Sequence, residues 1–241
     1  MIFLFVLLNQ KHSKITKNAP PEIIFSCDKD LLRQRAIETL LRNNKVVNEE
    51  NIAIFIQKMR DQYETKVNQT YCRLKNELGV LSLAKNPFNS HLWSKYASDG
   101  FCVEFDSSSC FFREQDDDPP GTGVLFEVVY SNKSAELNID ALLKGDRENF
   151  LPLEVFYLKK MNWKLEDEVR IIRLRSNATI TLEGGTVSLF RVPNSAIKAV
   201  YFSQYASNEF IKGCLEKIRI VLPHISVYKP HELSFESITL S

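Results

Sequence analysis

Trp163-Lys164-Leu165-Glu166-Asp167-Glu168-Val169-Arg170-Ile171-Ile172 places an aromatic anchor directly before an apolar stretch that also carries carboxylates. Past Glu168 the apolar residues fall on both sides of an extended chain, Val169 and Ile171 one way, Ile172 and Leu174 the other. Two apolar faces predict a strand over 169–174, buried on both sides and central in a sheet. Upstream, Trp93-Ser94-Lys95-Tyr96-Ala97-Ser98-Asp99-Gly100-Phe101-Cys102-Val103-Glu104-Phe105 has the same plan. Aromatic residues at helical spacing precede a glycine, and a strand over 101–105 with its own carboxylate comes next.

Around these blocks the chain reads as α+β, an antiparallel or mixed sheet with a helical amino-terminal segment. Asp28 caps a helix to about Asn43, with Leu31, Leu32, Ala36 and Leu40 on one side. Asn43-Asn44 ends it. Asn48 caps a longer helix to about Leu78, striped by Ile52, Phe55, Ile56, Met59, Tyr63 and Val67, and Gly79 stops it. Further strands are expected over 80–83, 124–130, 186–190, 197–202, 225–228 and 235–240. Residues 138–158 read as mainly helical, and 207–219 as an amphipathic helix through Phe210, Ile211, Cys214, Leu215 and Ile218. The expected organisation is one α+β domain over 22–241, helical over 28–78 and sheet-rich over 79–241. An unrelated or poorly ordered lead segment, 1–21, stands in front of it.

Composition narrows the function. The 241 residues carry a net charge of +1, which indicates neither nucleic acid nor a membrane surface as partner. Cys27, Cys72, Cys102, Cys110 and Cys214 form no C-x-x-C pair and make no ligand spacing with the histidines. Reduced thiols in a cytoplasmic protein, with no structural metal, are expected. The apolar run Ile2 to Leu8 is too short to span a bilayer and lacks a basic flank, so it reads as a buried strand.

The two blocks, with Gly79-Val80-Leu81-Ser82-Leu83 before them, resemble a large bacterial family, catalogued as the domain of unknown function numbered two thousand nine hundred and seventy-one. The resemblance rests on Trp93, Ser94, Tyr96, Ala97, Gly100, Phe101, Cys102 and Glu104, then on Val128, Tyr130, Lys159, Lys160, Trp163, Glu166, Glu168 and Arg170. Val192-Pro193-Asn194-Ser195-Ala196-Ile197 fits the family's entry to a later strand. It covers roughly Gly79 to Tyr228. Lys95 stands where the family usually has His, and the family's opening Tyr-x-Tyr strand and Phe-Asn-Asp-Pro-Phe turn are not in this sequence. The chain thus resembles a member lacking its first strands. An uncovered sheet edge would then be filled by Ile2 to Leu8 as a substitute strand, or would drive self-association.

Glu166, Glu168 and Arg170 are expected to alternate on one strand face. A Glu-x-Glu strand followed by Val-Pro and an apolar strand resembles the carboxyl-terminal part of ADP-ribosyltransferase folds. That resemblance implies a nucleotide-handling enzyme with NAD as cofactor, catalytic Glu168, Glu166 and Arg170, and a role in phage defence or stress response. A carboxylate suits the positive charge that develops on the nicotinamide ribose. The plainer reading of Glu168 and Arg170 is a structural ion pair. Trp93 and Tyr96 could wall a ligand ring, with Ser82, Ser94 and Glu104 as cofactor contacts. As plain structure, the rings are core, the serines are capping hydroxyls, and Cys102 beside Glu104 is an inert buried thiol. Trp163 is expected to fix the approach of the strand carrying Glu168. The second function class is a non-catalytic interaction or regulatory module on the same scaffold.

Overall fold

The structure is a computed structural model that describes residues 2–6, 23–115, 121–138, 153–182, 187–231 and 234–238. In chain order come β1 (Ile2–Val6), β2 (Ile23–Ser26), α1 (Lys29–Arg42), α2 (Glu49–Glu77), β3 (Leu78–Ala84), α3 (Ser90–Tyr96) and β4 (Phe101–Phe105). After them come β5 (Leu125–Glu127), β6 (Val129–Tyr130), β7 (Ala135–Asn138), β8 (Leu158–Lys159), β9 (Glu168–Leu174), β10 (Ile180–Leu182) and β11 (Val187–Leu189). The last are β12 (Ile197–Phe202), α4 (Asn208–Val221), β13 (Ser226–His231) and β14 (Ser234–Ser237). The class is α+β, with helices early and a mixed sheet. The chain divides into two compact units, Met1–Asn18 with Leu78–Tyr130 and Lys159–Ser241, and Ala19–Glu77 with Ser131–Leu158.

In the second unit, Asp28 caps α1 by accepting from the backbone of Asp30 and Leu31 at 2.8 and 3.2 Å. Leu32, Ala36 and Leu40 are buried, the last two against Ile52, Phe55 and Ile56 of α2. Asn44, at φ 53°, turns the chain between the helices, and Asn48 accepts from Asn51 N–H at 2.8 Å. Short polar side chains tolerate that left-handed turn and satisfy the first helical N–H groups. Every residue of the α2 stripe is buried or half-buried. β2 and β7 pair in parallel.

The first unit holds an eight-stranded sheet in the order β14-β13-β12-β4-β1-β3-β9-β5. The apolar run near the amino terminus supplies β1, which pairs with β4 over five positions and with β3 at Phe3↔Ala84. All sheet pairs are antiparallel except β12 with β13. One face is apolar. Leu83, Phe105, Phe112, Val169 and Ile171 pack there, and beside them α4 lays Phe210, Ile211, Cys214, Leu215 and Ile218 on Val200, Phe202 and Val227. The other face carries Ala84 and Cys102 under Leu92, Trp93 and Tyr96 of α3. Side chains on paired strands alternate between the faces with period two. Ser82, Glu104, Glu168 and Arg170 therefore lie on this second face.

Several boundaries differ from expectation. β9 is buried on both faces, with Ile171 and Ile172 at 2% and 0% exposure, yet it is next to the sheet edge rather than central. β3 and β5 flank it on both edges, so it has the paired neighbours of an interior strand although only β5 lies beyond it. Glu166 is outside the strand. It ends a 3₁₀ helix, Met161–Glu166, and Asp167 at φ 43° turns the chain before β9 begins at Glu168. Gly79 does not cap α2; it lies inside β3 opposite Arg173. The strand expected over 124–130 is broken at Val128. The helix expected over 138–158 falls mostly outside the described residues, and its described end is a 3₁₀ helix, Leu153–Tyr157. No helix among the described residues is long and apolar enough to cross a membrane.

Candidate functional site

A 3₁₀ helix repeats every three residues, so Trp163 and Glu166 share one edge of Met161–Glu166. That edge faces inward: Glu166 is 4% exposed and Trp163 is half-buried. The left-handed Asp167 then reverses the chain enough that Glu168, two residues on, enters the same cluster. Glu168 N–H donates to the Tyr130 hydroxyl at 2.9 Å, and Glu168 C=O accepts from Val128 N–H at 3.0 Å.

Lys159 joins the two carboxylates. Its Nζ donates to Glu166 Oε2 at 2.5 Å and to Glu168 Oε2 at 2.7 Å. Lys95 Nζ donates to Glu166 Oε1 at 2.6 Å, and the Tyr96 hydroxyl donates to the same oxygen at 3.0 Å. On the strand, Arg170 clasps Glu168 through Nε to Oε1 at 2.7 Å and Nη2 to Oε2 at 3.2 Å. Ser82, opposite Arg170 on β3, adds a side-chain hydrogen bond to Glu168. Lys95 also rests on the Trp163 ring, 3.8 Å from its centroid. The cluster is a ladder of alternating sign: Lys95, Glu166, Lys159, Glu168, Arg170.

Electrostatics follow from burial and pairing. Burial alone would raise the Glu166 carboxyl, but hydrogen bonds from Lys159 and Lys95 hold it below the usual carboxylate range. Burial opposes Glu168 in the same way, and Arg170 and Lys159 again bring it below that range. Burial would lower Lys159, yet its two carboxylates keep it above the ordinary lysine value. Glu166 and Glu168 are therefore ionised, and Lys159 protonated, at neutral pH. Three cations face two carboxylates, an excess of one positive charge (3 − 2). Depressed carboxyls are poor general bases or acids near neutrality. They can serve as fixed negative charges, and the cations as a fixed positive field.

Of the residues expected at the site, the structure brings together Ser82, Tyr96, Glu166, Glu168 and Arg170. It does not bring in Trp93, whose Nε1–H donates to Pro87 C=O at 2.6 Å and whose ring packs with Ala84, Leu92 and Cys102. Ser94 is exposed, its hydroxyl donating to His91 C=O at 3.0 Å. Glu104 is buried elsewhere on the face and accepts from the Tyr201 hydroxyl at 2.5 Å. The register runs Glu168, Ala84, Phe3, Glu104 across four strands, which puts the two carboxylate-bearing positions about 14 Å apart at standard strand spacing. Burial pushes the Cys102 thiol well up, as befits an inert core cysteine.

Sequence reasoning missed Lys95, Lys159 and Tyr130 as members of the cluster. A signal for the lysines existed: a buried carboxylate pair needs partner cations, and Lys95 lies inside the first aromatic block while Lys159 stands just before the second, which supplies both carboxylates. Tyr130 is part of the family resemblance, but nothing in the sequence signals its contact, because its hydroxyl accepts from a backbone group.

Residues 92–171 match the family described as Protein of unknown function (DUF2971), the one the motifs resemble. The matched stretch holds all five members of the ladder. No curated protein and no solved structure matches the chain.

Proposed function

We propose that this chain is a nucleotide-handling protein, with NAD-dependent, ADP-ribosyltransferase-like transfer as the specific chemistry. The observation that supports it is Glu168: an ionised carboxylate, rigidly clasped on a strand and hydrogen-bonded to Ser82, a residue exposed on the neighbouring strand. A fixed negative charge lowers the energy of a ribose that becomes cationic as its bond to nicotinamide breaks, and it needs no reorganisation to do so. The excess positive charge of the ladder complements a diphosphate. In this reading Glu168 is the catalytic carboxylate. Lys159, Arg170 and Glu166 position it, and Ser82 and Tyr96 border the ligand. The unpaired cysteines fit the reducing cytoplasm, and defence or stress response is the role the family resemblance suggests.

A second reading has its own support. Glu168 accepts from Arg170, Lys159 and Ser82 and is 4% exposed, so its charge is already well neutralised. A ladder satisfied in this way also serves as the internal brace of a non-catalytic interaction module.

Calorimetry with NAD and a label-transfer assay separate the readings. Glu168→Gln is expected to leave NAD affinity within a few-fold and to lower turnover by about a hundredfold or more. Absence of NAD binding by the wild-type chain would reject the nucleotide reading and leave the module. Binding without transfer would reject the enzyme chemistry alone.

A further inference from the structure

We propose that the Glu104 carboxylate, with the tyrosine pair beside it, is a second binding site, one that takes an alkylated ammonium group. Glu104 is 6% exposed, on the face of the sheet that also carries the charge ladder. The two carboxylates of the ladder each accept from two cationic side chains. Glu104 has no cation among the described residues. Its one hydrogen bond there comes from the Tyr201 hydroxyl, to Oε2 at 2.5 Å. Burial and the Glu104 charge push the Tyr201 phenol and the Cys102 thiol up, so both stay neutral and neither supplies positive charge. Lys198 of β12, the strand that pairs with β4 here, is held by Asp106 at 3.2 Å. A buried negative charge is costly without a counter-charge, and one phenol answers only part of that cost. Glu104 Oε1 has no partner among the described residues and is not a sealed-in atom, so the carboxylate meets solvent through that oxygen.

The neighbouring side chains state what would complete it. Tyr201 stacks on Tyr228 with centroids 4.8 Å apart, and Phe235 packs edge-to-face with Tyr201 at 5.0 Å. All three rings are half-buried, and Ser226, at the end of the register row Ser226, Ala199, Glu104, is exposed. Aromatic rings beside a carboxylate attract an organic cation. A metal ion is the poorer match. It requires several oxygen or nitrogen ligands, and no group of three or more His, Cys, Asp or Glu among the described residues could hold one. A primary ammonium brings three N–H donors, whereas the carboxylate offers it one unused oxygen. A fully alkylated ammonium has no N–H to satisfy: its charge meets Glu104 and its alkyl groups meet the rings. The site shares no residue with the ladder and stands independently of the nucleotide reading.

The test is thermal melting of the full chain with tetramethylammonium chloride, against equal concentrations of sodium chloride and of butylammonium chloride, with calorimetry for Kd. A saturable rise in Tm of about 3–6 °C, at roughly ten times Kd, is expected with tetramethylammonium. Glu104→Gln keeps the shape and removes the charge. It should weaken binding about tenfold or more and leave the unliganded Tm equal or higher, because an unanswered buried charge has gone. Tyr228→Leu leaves Glu104 in place and should weaken binding several-fold. The proposal is overturned by no saturable effect on the wild type, by equal binding in Glu104→Gln or Tyr228→Leu, or by an unliganded Glu104→Gln chain that melts several degrees lower. A stronger response to butylammonium than to tetramethylammonium would also overturn it, since the ligand class would be wrong.

Discussion

Lys159→Met removes one charge from the centre of the ladder and keeps most of the side chain's length. The ammonium is the group that links Glu166 to Glu168, and all three side chains are buried, 10% exposed for Lys159 and 5% for each carboxylate. Breaking a buried ion pair by removing one partner costs about 3–5 kcal/mol, because the remaining charge is left without its counter-charge. Here each carboxylate keeps another cation, Lys95 for Glu166 and Arg170 for Glu168, so the low end, about 3 kcal/mol, is expected. For a chain of this size that corresponds to a fall in Tm of about 6–12 °C.

The pH dependence is the sharper half of the prediction. In the wild type both carboxyls titrate below their ordinary value of 4.5. A depressed carboxyl contributes stability that is present above its unfolded pKa and is lost as the pH falls through its folded pKa. In the variant, burial and mutual repulsion act on Glu166 and Glu168 without Lys159 and push their pKa values up. A proton then relieves the strain that the substitution created. The gap between wild type and variant should be full near pH 7 and should close as the pH falls through and below 4.5. Thermal melts across that range measure it, and Glu168→Gln in the Lys159→Met background should recover part of the loss near neutrality. A pH-independent gap, or no gap, would refute the ladder as a source of stability.

Three other outcomes are expected. Trp163→Ala should cost about 2 kcal/mol, less than for a fully buried ring, since Trp163 is half-buried and acts partly as a platform for Lys95; an unchanged melting temperature would contradict this. Tyr201→Phe takes a hydroxyl from the buried Glu104 and should cost about 1–3 kcal/mol, read by urea unfolding, whereas a variant as stable as wild type would show that Glu104 finds another donor. Deleting residues 1–10 removes the strand between β3 and β4 and should give an insoluble or self-associating product by size-exclusion chromatography; a soluble, equally stable monomer would show that β1 is dispensable.

The elements legible in the sequence are those whose pattern reports their own burial. α2 is readable because Ile52, Phe55, Ile56, Met59, Tyr63 and Val67 recur at helical spacing, and all of them turn inward. β9 is readable as buried on both faces because Val169 and Ile171 fill one side and Ile172 adds an apolar residue to the side that carries Glu168 and Arg170. Its rank in the sheet is not, because burial depends on having neighbours on both sides and not on which ones. Gly79 misleads at the end of α2. Glycine is a stop signal only where a left-handed residue is needed, and here the helix passes straight into β3.

The site is half legible for a related reason. Glu168, Arg170 and Ser82 form a local unit, two on one strand and one directly opposite, so strand periodicity places them together. The same periodicity assigns Glu166 to that strand, but Glu166 reaches the cluster by a different route. The left-handed Asp167 separates a 3₁₀ helix from β9, and a period of three on one side of it and two on the other bring both glutamates inward. Pattern reading carries one period across such a junction and has no means of changing it. The lysines escape it because cations far apart in sequence are chosen by the tertiary position of the carboxylates, not by their own neighbours.

This geometry constrains the function. A Glu-x-Glu strand alone suggests two exposed carboxylates available for chemistry. The folded chain supplies one on a strand and one on a helix end, both ionised and bridged by a single ammonium. Any transfer chemistry proposed for Glu168 must therefore work against the field of Lys159 and Arg170. The nucleotide reading requires the ligand's phosphates to draw on that positive field while the ribose meets the carboxylate, an arrangement that the Glu168→Gln comparison of binding with turnover tests directly.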